Sequence, residues 1–157
     1  MMDTATAAAV LHGHLVGPNV TFSRVTTDSR SLEPGDLFVA LQGERFDGHA
    51  FVDAAFAAGA AAALVSHDRI AAPRGSQPKG SLVSVDDSLA ALSALAAHWR
   101  RQFAIPVVVV VGSNGKTTVK EMTAAILRAR LGEAVLATRG NLNNAIGLPL
   151  TLLGLRH

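Results

Sequence analysis

Apolar and polar positions along this 157-residue chain change period from segment to segment. Residues 3–12 are an alanine-rich run closed by Gly13 and read as a short helix. Residues 20–27 alternate loosely, the signature of a strand. The turn-rich stretch TDSRSLEPGD follows, and Asp36–Leu41 reads as a short buried strand. GERFDG (43–48) reads as a polar loop. Phe51, Val52, Ala55 and Phe56 recur at helical spacing within His49–Ala58, and Gly59 stops that helix. Ala61–Ser66 and Leu82–Val85 read as strands flanking AAPRGSQPKGS (71–81), whose Pro, Gly and Ser content marks a surface loop. Asp86-Asp87-Ser88 supply an N-cap and an acidic first turn for a helix reaching about Phe103. Leu89, Leu92, Leu95, Ala96 and Trp99 form its apolar face.

A second pattern begins at Ile105. PVVVVV is a continuous β-branched run, as in a parallel strand covered on both faces. GSNGKTT follows, then a helix over about 117–131 with Met122, Ile126 and Leu127 facing inward, ended by Gly132. Ala134–Thr138 reads as a further strand. GNLNNAIG is a polar loop, and LPLTLLGL opens a helix with Pro149 near its first turn. The order β-loop-α-β-loop-α is the opening of a parallel α/β domain. Such a sheet usually has more strands, so the expectation is a small N-terminal α/β substrate domain, residues 1–85. The truncated start of a parallel-sheet P-loop ATPase domain, residues 86–157, would follow it.

Composition narrows the function classes. The chain is 49% hydrophobic, enough for a core, but only 4% aromatic, which suits alanine-rich helices packed closely on sheets. Fourteen Lys and Arg against twelve Asp and Glu leave no dense basic patch, and this argues against a nucleic-acid surface. With no cysteine, disulfides, zinc–thiolate sites and thiol catalysis are excluded. Residues 1–12 lack a basic start and carry Asp3, and the apolar run Ile105–Val111 is too short to span a bilayer. A soluble, cytoplasmic, monomeric protein without membrane insertion is the expectation. The histidines show no metal-ligand spacing.

The chemistry concentrates at Gly112–Thr118. Successive backbone N–H groups at a strand-to-helix turn, reinforced by the helix N-terminus, match the charge of a triphosphate. Gly112 and Gly115 let the backbone approach, and Ser113, Asn114 and Thr118 complete the loop. Lys116 suits the β- and γ-phosphates, and the Thr117 hydroxyl suits Mg²⁺. The general P-loop pattern has a glycine where this chain has Val110; the shorter G-x-x-G-K-T is what is present. The loop at 140–147 offers Asn141, Asn143 and Asn144. Their amides suit phosphate or metal, and equally a helix N-cap with turn-forming asparagines. In a parallel sheet this loop shares an edge with GSNGKTT.

Four segments, TDSRSLEPGDLFVALQGERFDGHAF (27–51), AAFAAGAAAALVS (54–66), VGSNGKTTVKEMTAAIL (111–127) and GNLNNAIGLPLTLL (140–153), resemble the Mur ligases in family order. The KEMTAAIL helix and the GNLNN-IG-PLTLL loop resemble the MurF type more than its MurE sister. The shortened glycine pattern is the family's own, which accounts for Val110. The resemblance implies three domains, of which this chain would hold the first and the opening of the second. It also implies a reaction in which ATP phosphorylates the terminal carboxylate of UDP-N-acetylmuramoyl-tripeptide. The amine of D-alanyl-D-alanine then attacks the acyl phosphate. The cofactors implied are ATP and Mg²⁺.

Residue roles follow from the matched motifs. Lys116 would be the catalytic cation, and Thr117 and Asn144 metal ligands. Asn143 and Asn144 would bridge substrate phosphate and metal. Ser29, Arg30, Gly43, Arg45, Phe46, Asp47 and His49 would form the UDP-sugar pocket, with Phe46 on the uracil. Each has a plainer alternative: Asp28-Ser29 as a turn cap, Arg30 as a surface residue, Phe46 as core, His49 as a helix start. Asp86-Asp87 reads as a cap rather than a carboxylate dyad, and Lys120 and Glu121 as solvated helix residues. The family's downstream acidic metal ligand, modified lysine and adenine-binding segment would fall beyond His157, so the chain alone is expected not to catalyse ligation. Two rival readings stay open. One is a sister ligase adding a single amino acid to a UDP-N-acetylmuramoyl-dipeptide. The other is a UDP-sugar-binding module without catalysis.

Overall fold

In the computed structural model, which describes residues 1–43, 46–69, 80–140 and 142–156, every position of Asp36–Val39 (β5) is buried, as is every position of Ser81–Val85 (β9). Ala62–Ser66 (β8) is buried up to its last residue. Strands with no solvent face need cover on both sides, and alternate residues divide between two cores. Leu37, Val39, Ala62, Leu64, Val83 and Val85 point into the larger core. Phe38, Ala40, Ala63, Val65 and Leu82 point into the smaller.

The main sheet has five strands. Arg24–Thr26 (β4), β5, β8 and β9 lie side by side and parallel, with Val25 opposite Leu37, Phe38 opposite Ala63 and Leu64 opposite Val83. His14–Val16 (β2) closes the far edge antiparallel to β9. Met2–Asp3 (β1) pairs with Thr21–Phe22 (β3) in a separate ribbon. Gln42–Gly43 (β6) pairs with Phe46–Asp47 (β7) in another. The single strand expected over 20–27 is thus two, parted at Ser23, where the chain passes from the small ribbon into the main sheet. The loop expected over 43–48 carries part of a hairpin. β2 is too short for its pattern to announce it.

Thr4–Val10 (α1) and Ser88–Arg100 (α3) cover the larger-core face, and Val52–Ala57 (α2) covers the other. Asp3 Oδ1 caps α1 through the Thr6 N–H at 2.8 Å. Asp87 Oδ1 caps α3 through Leu89 and Ala90 N–H groups at 2.8 and 3.1 Å, so of the Asp86-Asp87 pair it is Asp87 that serves as the cap. Leu92, Leu95, Ala96 and Trp99 are buried as the spacing predicts, while Leu89, in the first turn, stays 37% exposed. Asp36, 1% exposed, accepts Arg24 Nε at 3.0 Å and Nη2 at 2.7 Å, and the Glu33 N–H at 2.8 Å.

The second half differs from expectation. Ile105–Val111 and Ala134–Thr138 form no strand among the described residues, and Val107, Val108, Val109 and Val111 are 56–87% exposed. A fully buried strand needs paired neighbours on both sides, and the described residues bring none to either run. The helix Lys116–Leu131 (α4) forms, ended at Gly132 with φ +61°. Its only buried residue is Ala124; Met122 and Ile126 are exposed rather than inward, and Leu127 is half-buried. Gly147–Leu152 (α5) instead packs on α3, and the residues after it enter the larger core. Leu153 and Leu155 are buried there, and Trp99 Nε1 donates to the Leu155 carbonyl at 3.1 Å.

Candidate functional site

Four parallel strands bring four loops to one edge, because their carboxyl ends point the same way. Ligands of open α/β sheets collect at that edge. Behind β4, Asp28 Oδ1 caps the 3₁₀ turn Ser29–Ser31 through the Arg30 N–H at 3.0 Å. The Arg30 guanidinium returns to the same carboxylate at 2.9 and 2.7 Å, which holds the Asp28 pKa down at about 2. Arg30 is nonetheless 89% exposed and Ser29 half-buried, so both the capping and the surface features of this turn are present together. Arg24 fixes the turn from beneath by donating Nη2 to the Ser31 carbonyl at 2.8 Å.

Behind β5, the hairpin β6–β7 presents Gly43 and Phe46. Phe46 is 53% exposed and stacks on Phe51, ring centroids 5.3 Å apart at 18°. It is therefore not core. The pair offers a flat apolar surface at that edge.

His49 is the opposite case, 7% exposed with both ring nitrogens engaged. The Ser66 N–H donates to Nε2 at 3.0 Å, so Nδ1 carries the proton and donates to Asp47 Oδ1 at 2.6 Å. This neutral imidazole ties the hairpin to the end of β8. Asp47 also accepts the His49 N–H at 3.0 Å, and these bonds hold its carboxyl below the usual range. His67, behind β8, pairs with Asp86, behind β9, at 3.1 Å. The expected site residue Arg45 lies outside the described residues, as do Asn141, His157 and residues 71–79.

The phosphate-type loop opens α4. Gly115 occupies the N-cap at φ +75°, a left-handed conformation that costs a residue with a Cβ, and no side chain caps the helix. The first-turn N–H groups at Lys116, Thr117 and Thr118 therefore lie open at the positive end of a 16-residue helix. Lys116 folds back so that Nζ donates to the Gly112 and Ser113 carbonyls. These two acceptors occupy the place that anionic oxygens would take beside the ammonium. Ser113, Asn114, Thr117 and Thr118 are exposed. The residues present fit a phosphate, and the exposed Thr117 hydroxyl beside it is the hard oxygen donor that Mg²⁺ prefers.

Asn144 Oδ1 accepts the Ile146 and Gly147 N–H groups at 3.2 and 2.7 Å and so organises the start of α5. Exposed Asn143 and Asn144 line one side of a groove of about 390 Å³, with Ser93 and Ala97 of α3 on the other. One residue has a role the sequence did not signal. Lys120, expected in solvent, is mostly buried and bonds to the carbonyls of Thr138 and Gly140. Its spacing from Lys116, one helical turn, was the available clue.

Residues 21–100 match the Mur ligase family, catalytic domain, and residues 110–157 match the Mur ligase middle domain. The chain is 51% identical over 147 residues to the UDP-N-acetylmuramoyl-tripeptide–D-alanyl-D-alanine ligase of Escherichia coli K12, covering 93% of this chain and 30% of that protein. A crystal structure of MurF from Acinetobacter baumannii superposes with a TM-score of 0.82 at 37% identity, over 99% of this chain and 33% of that one. A MurF ligase from Thermotoga maritima in complex with ADP superposes with a TM-score of 0.68 at 37% identity, over 83% of this chain and 28% of that one. The chain thus spans about a third of the length of the relatives it matches.

Proposed function

This chain belongs to the Mur ligase family, and on that premise we propose that it supplies two parts of an ATP-dependent ligase joining D-alanyl-D-alanine to UDP-N-acetylmuramoyl-tripeptide: the UDP-sugar unit and the phosphate-loop portion. One observation carries the nucleotide half. A left-handed glycine cap leaves three N–H groups open at the start of α4, with Lys116 folded beside them. The carboxyl-edge cluster of Ser29, Arg30, Phe46, Asp47 and His49 supports the UDP-sugar half. Arg30 supplies charge for a diphosphate, Phe46 on Phe51 supplies a stacking face, and His49 positions the hairpin that carries it.

The proposed division is residues 1–85 for the UDP-sugar and 86–157 for the opening of the ATP unit. Helix α3, which this division places in the second unit, packs on the first sheet and against α5. A cytoplasmic monomer is part of the same proposal, and among the described residues no helix is long and apolar enough to cross a membrane.

The chemistry suits these groups. A carboxylate is a poor electrophile, and transfer of the γ-phosphoryl group makes it an acyl phosphate, whose phosphate leaves when the amine attacks. Backbone donors at α4 and the Lys116 ammonium offset charge on the phosphoryl oxygens during that transfer. Thr117 would hold Mg²⁺, which when bound adds Lewis-acid charge at the same oxygens. Asn144 Oδ1 already accepts two N–H bonds at the start of α5, so exposed Asn143 is the asparagine of that loop left, among the described residues, to face the metal.

Calorimetric titration of the chain tests the reading. UDP-N-acetylmuramoyl-tripeptide binds and is weakened by Arg30→Ala; Mg·ATP binds and is weakened by Lys116→Ala. Mg·ATP binding with no response to the UDP-sugar would mark a generic P-loop nucleotidase and refute the ligase reading.

A further inference from the structure

Lys120 stands one turn beyond Lys116 on the same face of α4. Its Nζ donates to the Thr138 carbonyl at 2.6 Å and the Gly140 carbonyl at 2.7 Å, and pairs with the Glu121 carboxylate at 2.7 Å. These three acceptors account for all three ammonium protons. The side chain is 19% exposed, on a helix that buries only Ala124. Ordering a lysine side chain costs rotamer entropy, and here charge-assisted bonds offset it. Gly140, at φ +51°, turns the chain so that the carbonyls of residues 138 and 140 converge on one point. Lys120 has no proton left for a ligand, so its effect on the site is through the chain it holds. What it holds is the start of the asparagine loop, and it fixes that start one helical turn from the phosphate loop.

We infer that Lys120 is a positioning residue that keeps the asparagine loop in register with the phosphate loop, so that Asn143 and Thr117 serve one metal–nucleotide site. This rests on the nucleotide reading above. Lys120→Met keeps the aliphatic stem and the helix but removes the tie, whereas Lys120→Arg keeps a cation that can still donate to both carbonyls.

The test has two arms. In the first, amide hydrogen exchange is followed without ligand. In Lys120→Met the amides of residues 142–147 exchange faster, including Gly147 donating to Asn144, while those of α3 do not change. Unchanged exchange at 142–147 overturns the inference whatever the nucleotide does.

The second arm is calorimetry with ADP, with magnesium and with a chelator. Lys120→Met weakens Mg·ADP binding about tenfold, as loss of an outer support of a metal site does. Binding of metal-free ADP, which needs only Lys116 and the backbone, does not change, and Lys120→Arg recovers the Mg·ADP affinity. Equal loss with and without magnesium would make Lys120 a general support of the fold and overturn the assignment. A wild-type chain that binds no ADP refutes the nucleotide reading itself, and the exchange arm then decides the tie alone.

Discussion

Arg24→Met tests the anchor beneath the Ser29–Ser31 turn. In the wild type, Asp36 is 1% exposed and receives two guanidinium bonds and one backbone N–H. The substitution leaves that carboxylate buried with Glu33 N–H as its remaining bond among those described. Breaking a buried ion pair from one side costs about 3–5 kcal/mol. Arg24 itself is 37% exposed, so solvent can reach the vacated space and the lower end, about 3 kcal/mol, is the expected loss. In a unit of the size proposed for residues 1–85 that corresponds to a fall of roughly 12–24 °C in Tm. The assay is urea unfolding followed by fluorescence of Trp99, the chain's one tryptophan, which is 4% exposed in the larger core. The midpoint should fall while the slope stays constant. Arg24→Met with Asp36→Leu removes both charges and should recover most of the loss. A single variant as stable as wild type, or a double variant no better than the single, would refute the argument. Because Arg24 also holds the Ser31 carbonyl, the single variant should bind UDP-N-acetylmuramoyl-tripeptide more weakly even where it is fully folded.

Three further outcomes follow from the same geometry. The Asp28 carboxyl, lowered from 3.8 to about 2 by Arg30, contributes stability that is present above pH 3.8 and lost as pH falls through about 2; a carboxyl-carbon NMR titration should show that midpoint, moving back toward 3.8 in Arg30→Ala. Gly115→Val forces a β-branched residue into φ +75°, a strain of about 1–3 kcal/mol, and should weaken Mg·ADP binding in calorimetry while the first sheet's amide protection is unchanged. His49→Ala strips the Ser66 N–H of its acceptor at a cost of about 1–3 kcal/mol, read as lower urea stability and faster exchange at the Ser66 amide.

The first sheet was legible because its signal is local. Asp36–Leu41, Ala61–Ser66 and Leu82–Val85 are apolar runs closed by turn residues, and Asp87 marks its helix by an interaction three residues long. The same logic failed at Val107–Val111. A β-branched run reports the surroundings a segment suits, while pairing depends on neighbours that no local pattern can supply. The phosphate loop was readable for the opposite reason: it is built almost wholly from its own backbone. What His49 and Lys120 bond to was not readable, since their partners, Ser66 and Gly140, lie 17 and 20 residues away. Asn144 was left open between cap and ligand, and the structure shows the cap.

The bare valines at 107–111 bear on any experiment with these 157 residues, which span about a third of their relatives' length. Five consecutive β-branched residues with no charge and no proline among them, and up to 87% exposed, have the composition of a self-stacking segment. Nothing in the run repels a second copy: Pro106 guards one end, and the next cation, Lys116, is folded onto its own loop. Handled as this stretch alone, the run has the composition that self-stacks, and a single lysine among the five would act as a gatekeeper.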